Sequence, residues 1–369
     1  MSSGDWQAPA FGRFRLLGVA GRGGMAVVYR AQTVGASGFS RPVALKQLLP
    51  KLVQQDDFVR LFVEEARVSA RLDHPHIVQV HDFGTDAHGH YFLVLEWVDG
   101  LDLGRWLDGH PKGALPDWTH VSHLALQVLD ALDFAHRHTD DQGRSAPVIH
   151  RDISPGNILV GAHGHAKLAD FGLARAMDRT RMTDEGVIKG KVSYVAPELA
   201  KGDQPSPRTD LFSLGATLWE TFARRRLFQG PNDLTVLMSI LREPIPPLAS
   251  ARPDLPAGLC AVVHKALAKT PEERWPTARA MRRALVEVLL DARRMAEPLD
   301  IARSVAVAQG TRRPPSQPSE IVKTQSLISD LEHLAPGESD GEIPFDLVPA
   351  QANSEPFELI PLVEAPEPD

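Results

Sequence analysis

Along residues 11–98 apolar and polar positions alternate in short runs. Segments 13–19, 27–32, 43–48 and 91–96 carry the period of two that half-buried β-strands require. One stretch breaks the alternation. Within 58–72, Phe58, Leu61, Phe62, Glu65, Ala66 and Ser69 recur at helical spacing, which predicts a single helix with these six on one face. Beyond residue 100 the pattern is mostly helical, and Val121, Leu124, Ala125, Val128 and Leu132 form its clearest stripe. The order predicts an α+β chain: a small β-rich lobe (11–98), then a larger α-helical lobe (99–290).

The pattern fails near residue 296. Pro314, Pro315, Pro318, Pro336, Pro344 and Pro349 follow, with Ser, Glu and Asp between them. Residues 296–369 hold 14 acidic and 4 basic residues, a net of −10, which leaves the preceding part at +3. Such a segment buries too little apolar surface to offset its ordering entropy, so 296–369 is expected to be a disordered acidic, Pro-rich tail. Residues 1–10 are expected to be a flexible N-terminus.

Composition narrows the classes. The chain has 369 residues, 43% of them apolar and 24% charged, which is ordinary for a globular protein. A net charge of −7 gives no sign of nucleic-acid binding. Cys260, the single cysteine, rules out an internal disulfide framework and is expected in the core. The first residues lack a basic region followed by an apolar run, and no apolar stretch approaches the roughly 20 residues of a membrane span. A cytoplasmic chain without membrane contact is the expectation.

Three clusters point to chemistry. Gly21-Arg22-Gly23-Gly24-Met25-Ala26 lies between two predicted strands, where glycines let a hairpin aim N–H groups at phosphate oxygens. Taken alone the cluster is a weak signal, because glycines in hairpins are usually just turns, and Ala26 stands at the third glycine position. Lys46 sits inside the apolar run Val43-Ala44-Leu45-Lys46, and a buried ammonium needs an anionic partner. Glu65 is on the inward helix stripe, whereas Glu64 is not, so Glu65 is the candidate partner; a purely structural ion pair is the alternative. The third cluster is decisive. His150-Arg151-Asp152-Ile153-Ser154-Pro155-Gly156-Asn157 precedes one short strand, and Asp170-Phe171-Gly172 follows another. Asp152 can accept a hydroxyl proton, and Asn157 with Asp170 offers the hard oxygen ligands that Mg²⁺ prefers. Ala196-Pro197-Glu198 closes the segment that opens at Asp170.

With these motifs in this order, the chain resembles the bacterial eukaryotic-like serine/threonine protein kinases over residues 11–290. His74-Pro75-His76-Ile77-Val78, the hinge Glu96-Trp97-Val98 and Asp210-Leu211-Phe212-Ser213-Leu214-Gly215 also fit that family. The resemblance implies a bilobal protein kinase fold that transfers the γ-phosphoryl of Mg-ATP to Ser/Thr hydroxyls of protein substrates. It implies ATP contacts at Gly21, Arg22, Gly23, Gly24, Met25, Ala26, Val28, Ala44, Lys46, Glu96 and Val98, and Mg²⁺ at Asn157 and Asp170. Catalysis falls to Asp152, Lys46, Glu65 and Asn157. Asp210 would brace the catalytic loop, Arg274 would pair with Glu198, and Leu95 would be the gatekeeper. A pseudokinase-like ATP-binding scaffold is the alternative, but its marker would be loss of Lys46, Asp152 or Asp170. A small-molecule phosphotransferase would lack the segment from Asp170 to Glu198. The 152–157 loop does not carry the Ala/Arg pattern of tyrosine kinases.

Two departures from the family matter: Ser154 stands where Lys is usual, and Lys191 where Thr is usual; Ala20, where a branched apolar residue usually precedes the first glycine, is a milder one. Lys191 is therefore a candidate catalytic residue that supplies the missing cation. Thr180 and Thr183, near Arg179 and Arg181, are candidate activating phosphorylation sites that would pair with Arg151. In the tail, Pro344-Phe345-Asp346-Leu347-Val348-Pro349 recurs as Pro356-Phe357-Glu358-Leu359-Ile360-Pro361, a candidate tandem docking motif that binds a partner, or the kinase itself, as an extended strand.

Overall fold

A computed structural model describes residues 11–86, 88–111, 114–171 and 192–310. Five strands build the first sheet: β1 Phe14–Arg22, β2 Ala26–Thr33, β3 Pro42–Leu48, β4 Val80–Thr85 and β5 Tyr91–Glu96. They are antiparallel in the order β1-β2-β3-β5-β4. A four-residue turn of helix, α1 Pro50–Val53, leads into α2 Asp56–Ala70. On α2 the residues Phe58, Phe62, Glu65, Ala66 and Ser69 are buried while Glu64 is exposed, so the helical face read from spacing is the one that packs.

The second lobe begins with β6 Gly100–Asp102 and α3 Leu103–Asp108, which Asp102 caps by accepting from Arg105 N at 2.8 Å. The long helix α4 Trp118–His136 buries Val121, Leu124, Ala125, Val128 and Leu132, the predicted stripe. β7 Ile158–Gly161 and β8 Ala166–Leu168 complete a three-stranded sheet with β6. Then come α5 Pro197–Ala200, α6 Pro207–Ala223, α7 Asp233–Arg242, α8 Leu248–Ala251, α9 Ala257–Ala266, α10 Ala278–Asp291 and α11 Pro298–Gly310. α6 is buried nearly end to end, including Asp210, Phe212 and Trp219, and forms the axis of the lobe. Cys260 is buried and free, as expected.

One boundary needs correction. Residues 298–310, assigned above to the disordered tail, form a helix whose Ile301, Val305 and Ala308 are excluded from solvent. The Pro-rich composition beyond residue 313 masks this local pattern, in which Pro298 occupies the first helical position that a proline tolerates. The chain divides into two units, Met1–Arg313 and Pro314–Asp369, and the second lies outside the described residues. So do residues 1–10, Gly172, Arg179, Thr180, Arg181, Thr183, Lys191 and both copies of the tail repeat. Among the described residues no helix is long and apolar enough to cross a membrane.

Candidate active site

β3 delivers Lys46 from an otherwise apolar strand, and α2 delivers Glu65 from its inward face. Lys46 Nζ lies 2.7 Å from Glu65 Oε1 and 2.7 Å from Asp170 Oδ1. Burial alone would pull the lysine pKa down; the Asp170 and Glu65 carboxylates reverse this and hold it above its ordinary value. Lys46 and Glu65 are almost wholly buried, whereas the Asp170 side chain is 30% exposed, so the cluster opens toward the cleft at Asp170.

The catalytic-loop residues are held by backbone as much as by side chains. Asp210 Oδ2 accepts from His150 N at 2.9 Å and Oδ1 accepts from Arg151 N at 2.8 Å. These bonds grip the loop where Arg151 turns through φ +66°, a left-handed conformation that is costly for a side-chain-bearing residue. Asp170 also adopts a left-handed φ, of +63°. His150 Nδ1 accepts from Asp152 N at 3.2 Å, so its Nε2 carries the proton and donates to Ala169 O at 2.9 Å. One imidazole thus joins the loop of Asp152 to the strand end before Asp170. Phe171 packs edge-on to the same ring, with centroids 4.6 Å apart.

Asn157 ends the 3-10 turn Pro155–Asn157. Its Nδ2 donates to Asp152 O at 2.6 Å and Asp152 Oδ2 at 2.9 Å. With the amide nitrogen so engaged, its oxygen is the group Asn157 presents elsewhere. The backbone O of Asn157 accepts from Ala169 N at 2.9 Å, which ties the residue to the chain just before Asp170, and an amide oxygen with a carboxylate is a donor set that fits a hard divalent cation. Among the described residues no group of three or more His, Cys, Asp or Glu is arranged to hold a metal ion, so the remaining ligands would come from substrate and water.

Gly21 and Arg22 end β1, and Ala26 and Val28 lie on β2 across from them, with Gly23 and Gly24 in the turn. Gly23 N donates to Ala26 O at 2.9 Å, closing the hairpin, and Met25 in its turn is buried. Ala44 pairs with Leu95 across β3 and β5. Leu95 and Leu93 line a small cavity of about 10 Å³ behind Lys46, together with Glu65, Ser69, Val78, Leu168, Asp170 and Phe171. The Glu96 carboxylate is engaged by Lys167 Nζ at 2.8 Å and Gln79 N at 3.3 Å. The Glu96 carboxylate is thus tied to β8 and to the chain before β4.

Ser154 is buried and carries no charge, so among the described residues the catalytic loop has no counterpart of the family lysine. Several supporting residues escaped the sequence reading. His136 donates to Asp210 Oδ2 at 2.7 Å; it falls four residues beyond Leu132 on the α4 stripe, and that spacing could have placed it inward. Tyr194 OH donates to Glu220 Oε2 at 2.6 Å and receives Arg226 Nη1 at 2.7 Å, a contact that no local pattern announces.

The protein kinase domain model matches residues 14–286. A tyrosine-protein kinase named MasK, from Myxococcus xanthus, is 40% identical over 277 residues, 74% of this chain and 43% of the relative. The serine/threonine-protein kinase PrkC of Bacillus subtilis is 31% identical over 90% of this chain and 47% of its own length. PknA of Mycobacterium tuberculosis, also a serine/threonine-protein kinase by name, is 36% identical over 72% of this chain and 58% of its own. The chain thus spans about half the length of these curated relatives. The solved kinase domain of Mycobacterium tuberculosis PknI matches with a TM-score of 0.56 and 31% identity over 76% of this chain and 96% of that one. Fold, motif geometry and these matches together make the chain a member of the protein kinase domain family.

Proposed function

We propose that the chain is a serine/threonine protein kinase that uses Mg-ATP. The observation that carries this reading is the Lys46–Glu65–Asp170 cluster set beside Asp152 and Asn157. Lys46, fixed by Glu65, contacts the α- and β-phosphates; the glycine hairpin of Gly21 to Ala26 covers them. Asn157 and Asp170 would hold Mg²⁺, which would supply positive charge to the phosphates. Asp152 orients the substrate hydroxyl and takes its proton as the oxygen bonds to the γ-phosphorus and ADP leaves with the bridging oxygen. Dependence on ATP places the reaction in the cytoplasm.

Three finer assignments belong to the same reading. Lys191 supplies the cation that Ser154 does not, and it does so only when the segment ending at Glu198 is in place. Thr180 and Thr183 are activating phosphorylation sites. The tandem Pro-Phe-Asp/Glu-Leu repeat recruits a partner. Hydroxyl specificity is assigned to Ser/Thr on the Ile153-Ser154-Pro155-Gly156 loop, although one relative is named as a tyrosine kinase.

The test is mass spectrometry of the purified protein after incubation with Mg-ATP, beside an Asp152→Asn control. Phosphoserine or phosphothreonine in the wild type alone supports the proposal. Phosphotyrosine would overturn the specificity, and no phosphate on any residue or added protein would overturn the activity. A double-mutant cycle with Lys191→Thr and Ser154→Lys addresses the relocated cation. Lys191→Thr should cost roughly 10²-fold, and Ser154→Lys should restore much of it. Normal turnover by Lys191→Thr would end that idea.

A further inference from the structure

Helix α11 lies beyond residue 286, where the match to the family model ends. Its inner residues Ile301, Val305 and Ala308 follow helical spacing and are excluded from solvent where the helix packs on α3, β6 and β7. The fully buried Trp106 of α3 donates from Nε1 to Ser304 Oγ at 2.9 Å, and Ser304 Oγ donates to Ile301 O at 2.7 Å. The backbone is shaped for this contact at two glycines. A side chain on Gly109, just past α3, would run into Ala308. One on Gly164, in the β7–β8 turn at φ +79°, would run into Pro298 O. The 13 residues of α11, ~20 Å long, thus bridge the β7–β8 turn and the far end of α3.

α3 has six residues, too few to persist as a helix on its own strength. Its position depends on what packs against it. On one side it follows the hinge through β6. On another it meets the 3-10 turn Pro155–Asn157: a Cβ on Gly104 would lie 3.6 Å from Pro155 Cβ. Arg224, just past α6, donates to Leu107 O, β7 packs on α3 as well, and α11 supplies a further seat. A shift of α3 would be felt at the hinge and at Asn157 together.

We propose that Ile301, Ser304 and Val305 are positioning residues: α11 straps α3 in place and thereby sets the hinge and Asn157 for binding of the Mg-nucleotide. The proposal rests on the kinase reading of the site. It makes the nucleotide-competent unit end at Gly310 rather than at residue 286.

The experiment compares the full chain with Ile301→Asp/Val305→Asp, Ser304→Ala and Ser304→Thr. Affinity for Mg-ADP is measured by calorimetry, beside KM for ATP and kcat on a generic peptide. The double variant should bind Mg-ADP about tenfold or more weakly, with KM for ATP rising in parallel and kcat within about twofold. Ser304→Ala, which strands the Trp106 N–H, should weaken binding about two- to threefold, and Ser304→Thr should restore it. Mg-ADP affinity unchanged in the double variant overturns the proposal. So does a smaller active fraction with unchanged KM, the mark of a merely structural helix. Should the double variant not fold, the Ser304 pair decides: equal affinities for wild type and Ser304→Ala overturn it. Wild-type binding of Mg-ADP without phosphoryl transfer would count against the kinase reading alone.

Discussion

Two buried charge clusters in this protein look alike on paper and differ in kind. Arg274 and Glu198 form a closed set. Arg274 Nε donates to Ala268 O, Nη1 to Glu198 Oε1 and Arg208 O, and Nη2 to Glu198 Oε2 and Lys269 O, all between 2.7 and 3.2 Å. Five N–H donors meet five acceptors, and one positive charge meets one negative. Lys46 instead faces two carboxylates, so its cluster carries an excess negative charge, and Asp170 opens it toward the cleft. A closed, neutral cluster has nothing left to give a ligand. An unbalanced one with an open member is arranged to receive a cation. Burial of charge alone would not have separated them.

The closed cluster should carry the larger energetic penalty. Arg274→Ala leaves a buried carboxylate without its partner, and should destabilise the fold by about 3–5 kcal/mol in urea unfolding. Activity per folded molecule should fall less than at the open cluster, and only through the segment that ends at Glu198. At the open cluster the pattern inverts. Asp170→Asn leaves Lys46 paired one-to-one with Glu65, so stability should move by about 1 kcal/mol or less. Phosphoryl transfer should fall by at least ~10²-fold, as it should in Lys46→Met and Asp152→Asn. An Asp170→Asn protein that unfolds as readily as Arg274→Ala would erase the distinction.

Acid sharpens the same contrast. Burial alone would raise the Glu198 pKa, but its hydrogen bonds and charge pairing with Arg274 hold it below the ordinary 4.5. A carboxyl with a depressed folded pKa stabilises fully above its unfolded value, and loses that contribution as pH falls through the folded one. Stability should therefore decline below about pH 4.5. In Glu198→Gln that decline should be shallower, from a lower starting point at neutral pH. Urea midpoints measured from pH 3 to 7 read both. A Glu198→Gln protein with the full acid slope would assign the sensitivity to other carboxylates, such as Asp117 and Asp254, which are also held low.

What could be read in advance follows the range of each interaction. Period-two runs and the α4 stripe are local, and the strands and helix they predict are present at nearly the same residues. Asp210 and Arg274 were legible only through resemblance to a family, because the loop backbone and the Glu198 carboxylate that they bind lie 59 or more residues away. The seat of α11 was not legible at all. Trp106 and Ser304 are 198 residues apart, and an average over the Pro-rich tail hides a 13-residue helix at its start. Composition describes a segment as a whole, whereas docking depends on three or four residues at the right spacing.

Neighbouring glutamates give the finest test of the comparison. Glu64 and Glu65 share charge and chain position, and differ only by about 100° around α2. That rotation puts Glu65 against Lys46 and leaves Glu64 in solvent. Glu65→Gln keeps a hydrogen-bonding group but removes the charge that fixes Lys46, leaving Asp170 to hold the ammonium away from the phosphates. Turnover should fall about tenfold, less than for Asp170→Asn because Lys46 itself remains. Glu64→Gln removes a solvent-exposed charge, where substitutions stay within about 0.5 kcal/mol, and should leave kcat and KM unchanged. Steady-state kinetics on both variants, at matched thermal stability, decides between a specific ion pair and a general need for acid on this helix. Equal losses from Glu64→Gln and Glu65→Gln would favour the second and remove Glu65 from the machinery.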